Sequence, residues 1–100
     1  MHNFLINASI QILPVATEKH PYEWVDEAIE IIRKSGLQYE VNAFATTIEG
    51  MYNEVMKVIG DINEHLNNRG CEEWITNLQI QIRSTKDITA GEKTMKHRQQ

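Results

Sequence analysis

Two stretches of helical periodicity divide this chain, and segments of alternating polarity lie before, between and after them. The first helical stretch begins at Pro21, because proline favours the first position of a helix, and is expected to end at Gly36. The second begins at Gly50 and is expected to end at Gly70. Apolar side chains spaced three to four residues apart predict that one face of each helix is buried. The predicted buried residues are Tyr22, Val25, Ala28, Ile29 and Ile32 in the first helix and Tyr52, Val55, Ile59, Ile62 and Leu66 in the second.

The first and last alternating segments span residues 7–14 and 74–83. Apolar and polar side chains alternate along both segments, which is typical of a strand with one buried face. Proline has no amide hydrogen to donate to a neighbouring strand, so we expect Pro14 to end the first strand. The predicted inward residues are Ala8, Ile10 and Ile12 in the first strand and Leu78, Ile80 and Ile82 in the last.

Residues 37–49, between the two helices, contain two short alternating runs. We predict two strands joined by a turn near Asn42 and Ala43. One long strand is the alternative, because this stretch has no Asn-Gly or Asp-Gly pair, the strongest signal of a tight hairpin turn. The predicted inward residues are Leu37, Tyr39 and Val41 in the first run and Phe44, Thr46 and Ile48 in the second.

The predicted order is therefore β-α-β-β-α-β, the order of the ferredoxin-like α+β fold, in which two helices cover one face of an antiparallel sheet. The 100 residues suit a single domain over residues 1–100. We expect its ordered core over about residues 5–84 and a polar C-terminal tail over residues 85–100, with a short helix from Thr89 to Met95.

The sheet face away from the helices is predicted to be polar and largely uncharged. Amides and hydroxyls suit a wet subunit interface or a neutral, hydrogen-bonding ligand, and a solvated sheet face is the alternative. The predicted residues of this face are Ser9, Gln11, Gln38, Glu40, Thr47, Glu49, Asn77, Gln79 and Gln81.

Charge and patterning argue against several classes of partner. The chain has 10 Lys and Arg residues against 14 Asp and Glu residues, a formal net charge of −4, which disfavours binding to nucleic acid. No apolar run approaches the roughly 20 residues of a membrane span, and residues 1–14 lack the basic start of a signal peptide. Cys71 is the only cysteine, so no internal disulfide can form, and we expect a cytoplasmic protein.

Patterns typical of metal sites and catalytic centres are also missing from the sequence. The four histidines form no H-x-x-x-H or H-E-x-x-H pair, and Cys71 has no C-x-x-C partner. The chain has neither a Gly-rich phosphate loop nor a recognisable His, Cys and Asp constellation. We therefore expect no metal, no cofactor and no enzymatic activity.

The run Thr46-Thr47-Ile48-Glu49-Gly50 places a carboxylate beside two hydroxyls at the start of the second predicted helix. The carboxylate could lie there because the helix dipole favours a negative charge. It could instead bind an amino-heterocycle, because a carboxylate accepts hydrogen bonds from a ring N–H and an exocyclic amine together. The residues alone leave both interpretations open.

This run, together with Gly36-Leu37-Gln38-Tyr39-Glu40 before it, resembles the small thiamine-binding proteins of the YkoF-like family. The opening run Ser9-Ile10-Gln11-Ile12-Leu13-Pro14 and Lys93 are further matches, and the resemblance covers about residues 7–96. It implies a ferredoxin-like domain that binds thiamine or its hydroxymethylpyrimidine half without catalysis. It also implies that sheets pair into dimers, and we expect a homotetramer built as a dimer of dimers.

On this resemblance, Glu49 is expected to accept hydrogen bonds from the aminopyrimidine of the ligand. Strand alternation places Thr46 and Thr47 on opposite faces, so only one of them contacts a given ligand in a regular strand. An interaction module that assembles through its polar sheet face, with no small ligand, is the alternative function. The other predicted ligand contacts are hydroxyls and amides from Thr46, Thr47, Ser9 and Gln11, and a stacking ring from Tyr39 or Phe44.

Overall fold

The computed structural model describes residues 3–83, and the tail and the short helix predicted near the C-terminus lie outside these residues. Six elements follow one another in the predicted order. They are β1 (Leu5–Ala16), α1 (Pro21–Lys34), β2 (Gln38–Val41), β3 (Thr46–Met51), α2 (Tyr52–Asn68) and β4 (Glu73–Gln81).

The strands form one antiparallel sheet in the order β2-β3-β1-β4, which confirms the ferredoxin-like fold. The central strand β1 pairs with β3 on one side and β4 on the other, and both helices pack on the same face. Ile6 from β1 and Ile62 and Leu66 from α2 have no measurable exposure. Full burial of such a side chain contributes about 1.5–3 kcal/mol, so this interface between the helices and the sheet is the main source of stability.

The buried face of α1 agrees with the predicted one only in part, since Ala28 and Ile32 are buried as predicted and the other predicted residues are not. Trp24, Ala28 and Ile32 point into the core, whereas Tyr22, which was predicted to be buried, is 72% exposed. The helix is rotated because the indole of Trp24 fills the core and its Nε1 donates to Thr17 Oγ1. An indole is the largest apolar surface that this helix can bury, and its N–H needs an acceptor when buried. In α2 the predicted face is confirmed, apart from a half-buried residue at its start.

Proline does not end the first strand as predicted. Strand β1 continues to Ala16, and Pro14 lies opposite Trp74 of β4. The register of the two strands shifts between Pro14 and Ala16. A bulge of this kind is one of the few places in a sheet where proline is tolerated, because the regular hydrogen-bond ladder is already interrupted there.

The predicted turn between β2 and β3 is confirmed, and the alternative of one long strand is excluded. The backbone N–H of Asn42 donates to the carbonyl of Ala45 at 2.9 Å, which closes the turn. Phe44 was predicted to be an inward strand residue, but it lies in this turn and is 83% exposed. The glycines predicted to end the helices, Gly36 and Gly70, both have a positive φ, the conformation that favours glycine after a helix.

Candidate functional site

The sheet face opposite the helices, called the open face below, carries the polar residues predicted for it. In β1, Ser9 lies opposite Thr47 of β3 and Gln79 of β4, and Thr47 lies opposite Glu40 of β2. One polar row therefore crosses all four strands. The neighbouring row consists of Gln38, Glu49, Asn7 and Gln81.

Hydrogen bonds connect some of these open-face residues to one another. Asn77 Nδ2 donates to Gln11 Oε1 at 3.2 Å, and Thr47 Oγ1 donates to the carbonyl of Glu40 at 3.4 Å. Two carboxylates, those of Glu40 and Glu49, are the only charges among the open-face residues predicted from the sequence. A surface of paired amides and hydroxyls can bind water or a polar partner through hydrogen bonds.

Glu49 lies within β3 and its side chain belongs to the open face, on the side of the sheet away from the helices. Helix α2 begins only at Tyr52, and Met51 occupies the position before it without a side-chain cap. The geometry therefore does not support the interpretation of Glu49 as a partner of the helix dipole. Glu49 is half-buried.

A concave region, called the interlayer cavity below, lies between α1 and the sheet and has a volume of about 280 Å³. Its helix wall includes Tyr22, Val25, Ala28 and Ile29 of α1. Its sheet wall consists of Ile10, Ile12, Val41 and Thr46, and the turn after β2 contributes Phe44. Most of this lining is apolar. Thr46 is only 6% exposed, and it is the one buried polar side chain in the part of the chain that the structure describes.

The predicted ligand contacts therefore fall into two groups rather than one site. Glu49, Thr47, Ser9 and Gln11 belong to the open face, although Gln11 also borders the interlayer cavity. Thr46 and Phe44 line the interlayer cavity. Tyr39 lies opposite Ile48 and does not line the interlayer cavity, but it borders a small hollow that Glu49 and Thr47 also line. The prediction that Thr46 and Thr47 face opposite ways is confirmed.

Sequence reasoning missed the residues that form the helix wall of this cavity. Tyr22, Val25 and Ile29 were predicted to be core residues, because they share a stripe of α1 at helical spacing. In the structure this stripe borders the interlayer cavity, while the neighbouring stripe through Trp24 fills the core. Large exposed apolar side chains cluster at the same place, since Leu13, Tyr22, Val41 and Phe44 all line the cavity.

Residues 3–83 also bear on three other possibilities: a metal-binding site, a membrane-spanning helix and a reactive thiol. No group of three or more His, Cys, Asp and Glu residues in this part could hold a metal ion, and no helix in it could cross a membrane. Cys71 is a buried free thiol, and burial raises the pKa of the thiol. A raised pKa keeps the thiol protonated and unreactive, which disfavours Cys71 as a nucleophile.

Comparison with known proteins identifies relatives over most of the chain. The model of a family described as thiamine-binding protein matches residues 8–98. A UPF0045 protein of Clostridium perfringens is 32% identical over 92 residues, which cover 92% of this chain and 96% of that protein.

Solved structures of similar proteins share the fold. A domain of unknown function, DUF77, from Bacillus cereus superposes with a TM-score of 0.87 at 34% identity and covers 95% of this chain and 91% of that one. A candidate thiamine biosynthesis/salvage protein from Thermotoga maritima superposes with a TM-score of 0.81 at 29% identity, covering 93% of this chain and 98% of that one. From the family match and the relatives together, the chain belongs to the thiamine-binding protein family.

Proposed function

We propose that this protein binds thiamine or its hydroxymethylpyrimidine half reversibly, without converting it, and that the ligand occupies the interlayer cavity. Membership of the thiamine-binding protein family supports the ligand class, as does the similar protein of Thermotoga maritima. The shape of the interlayer cavity supports it as the site, because it is concave and both layers of the fold form its walls. It is also lined by Thr46, the one buried polar residue among residues 3–83.

The interlayer cavity has the chemical character of a site for a small heteroaromatic ring. Small-molecule sites are concave and mostly apolar, with a few placed polar groups, and typically measure about 300–1,000 Å³. A volume of about 280 Å³ suits one ring better than a whole two-ring ligand. The Thr46 hydroxyl can both donate to a ring nitrogen and accept from an amine. Phe44 at the same cavity offers a ring for stacking.

The open face is the alternative location of the ligand, and the sequence-based assignment of Glu49 stays a prediction. A hollow beside Glu49 holds about 90 Å³, and a larger one along Ser9, Thr47 and Gln79 holds about 330 Å³. The Glu49 carboxylate would form a charge-assisted pair with the aminopyrimidine there. Both hollows lie on one side of a single sheet, and residues 3–83 provide no second layer above a ligand bound in them.

Calorimetry of the wild-type protein with thiamine, and separately with hydroxymethylpyrimidine, tests the proposed ligand. We expect saturable binding of both compounds, because the ring half accounts for most of the buried contact. At 100 times its dissociation constant a ligand adds about 2.7 kcal/mol to the free energy of unfolding, which a thermal shift detects. The compound should be recovered unchanged after incubation. If neither compound binds, the proposal is contradicted, and a new product would refute binding without turnover.

We also propose that the open face serves assembly, as a homotetramer built from two dimers. The supporting observation is that polar, mostly uncharged rows cross all four strands, whereas sheet faces exposed to solvent usually carry more charge. Light scattering at micromolar concentration should give four times the chain mass of 11.6 kDa. A species of one chain mass would contradict assembly. The single buried thiol fits a reducing compartment, which supports the cytoplasm as the proposed location.

A further inference from the structure

We propose that Tyr22 determines the specificity of ligand binding. Together with Phe44, it holds a planar ring of the ligand at the mouth of the interlayer cavity. This inference rests on the proposed function and adds a residue that neither the sequence pattern nor the family comparison assigns. Tyr22 comes from the helix layer, whereas Phe44 comes from the turn that joins two strands of the sheet layer. Both side chains line the same cavity.

The exposure of these two rings is the first observation behind the proposal. Tyr22 is 72% exposed and Phe44 is 83% exposed, the two largest exposed fractions among the large apolar side chains of residues 3–83. Single exposed apolar residues are common and need no explanation. Two aromatic rings at one apolar cavity form a patch instead, and such patches mark binding sites. A flat ligand that entered between them would remove both ring surfaces from water.

The backbone on both sides of the cavity mouth is held in place, although the rings are exposed. His20 caps α1, because its Nδ1 accepts from the Tyr22 backbone N–H at 3.2 Å. The imidazole of His20 also contacts the Tyr22 ring, with ring centroids 5.1 Å apart and planes tilted by 33°. The turn that carries Phe44 is closed by the hydrogen bond from Asn42 to Ala45. Because the backbone is already fixed, only the two side chains lose freedom when a ligand binds, which limits the entropic cost of these contacts.

The chemistry of two ring faces defines the class of ligand that they select. Aromatic faces carry negative partial charge, so they stack best on electron-poor rings and attract cations. A protonated aminopyrimidine or a thiazolium ring is both flat and electron-poor. Stacking involves the ring of Tyr22 rather than its hydroxyl, so Tyr22→Phe should preserve binding and Tyr22→Ala should weaken it. Selection of this kind would favour a flat cationic ring over a flexible cation of similar size, because only the flat ring can also stack on the two aromatic faces.

Calorimetry with thiamine on Tyr22→Ala, Tyr22→Phe and Phe44→Ala tests the proposal. We expect the dissociation constant to rise about five- to twentyfold for each alanine variant and to stay within twofold for Tyr22→Phe. The matched control is Ile75→Ala, which truncates a 48% exposed side chain that does not line the cavity and should leave affinity unchanged. Because Tyr22 is exposed, its truncation should leave the unfolding temperature nearly unchanged. The affinities of wild type and variant are therefore compared between folded proteins.

A second readout detects direct contact. The ring-proton NMR signals of Tyr22, assigned through Tyr22→Phe, should shift as thiamine is added, because a stacked ring changes their magnetic environment. If thiamine binds the wild type while Tyr22→Ala retains affinity within twofold and these signals stay in place, the role of Tyr22 is refuted and the proposed function stands. If the wild type binds no thiamine, the proposed function fails and the inference about Tyr22 fails with it.

Discussion

Glu27 of α1 joins three parts of the fold through its carboxylate. It accepts from Lys19 Nζ at 2.6 Å and pairs with His65 Nε2 of α2 at 2.7 Å, and Arg69 Nε lies 3.9 Å away. Lys19 belongs to the segment between β1 and α1, and its ammonium also lies 4.4 Å from the centre of the Trp24 ring. We predict that Glu27→Gln lowers the free energy of unfolding near neutral pH, because it removes the charge that these donors share.

The magnitude follows from the exposure of the group. A hydrogen bond to a charged group in a buried site contributes about 1.5–3 kcal/mol, whereas an exposed ion pair contributes about 0.2–1 kcal/mol. The side chain of Glu27 is 27% exposed, and those of its partners Lys19 and His65 are 35% and 32% exposed. Solvent screens pairs of this exposure substantially, so we expect a loss of about 1 kcal/mol in total.

The dependence of this loss on pH has a defined sign. Hydrogen bonding by Lys19 is the main cause that holds the pKa of the Glu27 carboxyl below its ordinary value of 4.5, and the hydrogen bond to His65 adds to it. A lowered pKa in the folded state stabilises the protein above the pKa of the unfolded chain. This stabilisation is lost as the pH falls through the lowered pKa and the carboxylate becomes protonated. The difference between wild type and Glu27→Gln should therefore shrink below about pH 4.5 and vanish in stronger acid.

Urea unfolding at pH 7 and at pH 3 measures this difference, with Glu30→Gln as the matched control. Glu30 lies on the same helix and pairs with Arg33, but both side chains are about half exposed. We expect the control to lose clearly less stability than Glu27→Gln does, because solvent screens an exposed ion pair on one helix. Equal losses for the two variants at pH 7, or a loss for Glu27→Gln that is undiminished at pH 3, would refute the reasoning.

Further predictions separate the core from the cavity wall. Trp24→Ala should cost about 3–5 kcal/mol and Ile62→Ala about 2–5 kcal/mol in urea unfolding, since both side chains are buried in the core. Ile29→Ala should cost no more than about 1 kcal/mol, because Ile29 is half-buried and borders existing empty space; a loss as large as that of Ile62→Ala would contradict this. Phe44→Ala should change stability by less than about 0.5 kcal/mol, and a larger loss would mean that its ring packs in the core. Cys71 should react with a disulfide reagent slowly at pH 7 and rapidly in urea, because the residue is only 5% exposed and the pKa of its thiol is raised; equal rates would contradict its burial.

Sequence reasoning succeeded where a single periodicity determines the answer. Successive side chains of a strand point to opposite faces, so the alternation of Ser9 and Gln11 with Ile10 was sufficient to assign the open face. It failed on α1, because apolar residues there occupy two overlapping stripes. Packing of the whole fold decided which residues fill the core: Trp24 joins Ala28 and Ile32 there, and Tyr22 lies outside it.

The candidate site was predictable only in part for the same reason. Alternation along β3 is enough to place Thr46 and Thr47 on opposite faces, and the register confirms that separation. The interlayer cavity was not predictable, since a cavity is the space that two layers leave unfilled and no residue pattern encodes it. Phe44 was misplaced because the turn between β2 and β3 occupies four residues, which takes the ring out of the strand pattern.

The central claim is that the ligand binds between the layers rather than on the open face, and a paired calorimetric titration tests it most directly. Thr46→Val keeps the shape of a side chain in the cavity wall and removes its hydroxyl, whereas Glu49→Gln keeps the shape of an open-face side chain and removes its charge. A neutral hydrogen bond contributes about 0.5–1.5 kcal/mol, so thiamine should bind Thr46→Val roughly two- to tenfold more weakly than wild type and Glu49→Gln with unchanged affinity. A loss of about 1.5–3 kcal/mol for Glu49→Gln, the range of a hydrogen bond to a charged group, with unchanged affinity for Thr46→Val would contradict the claim and place the ligand on the open face.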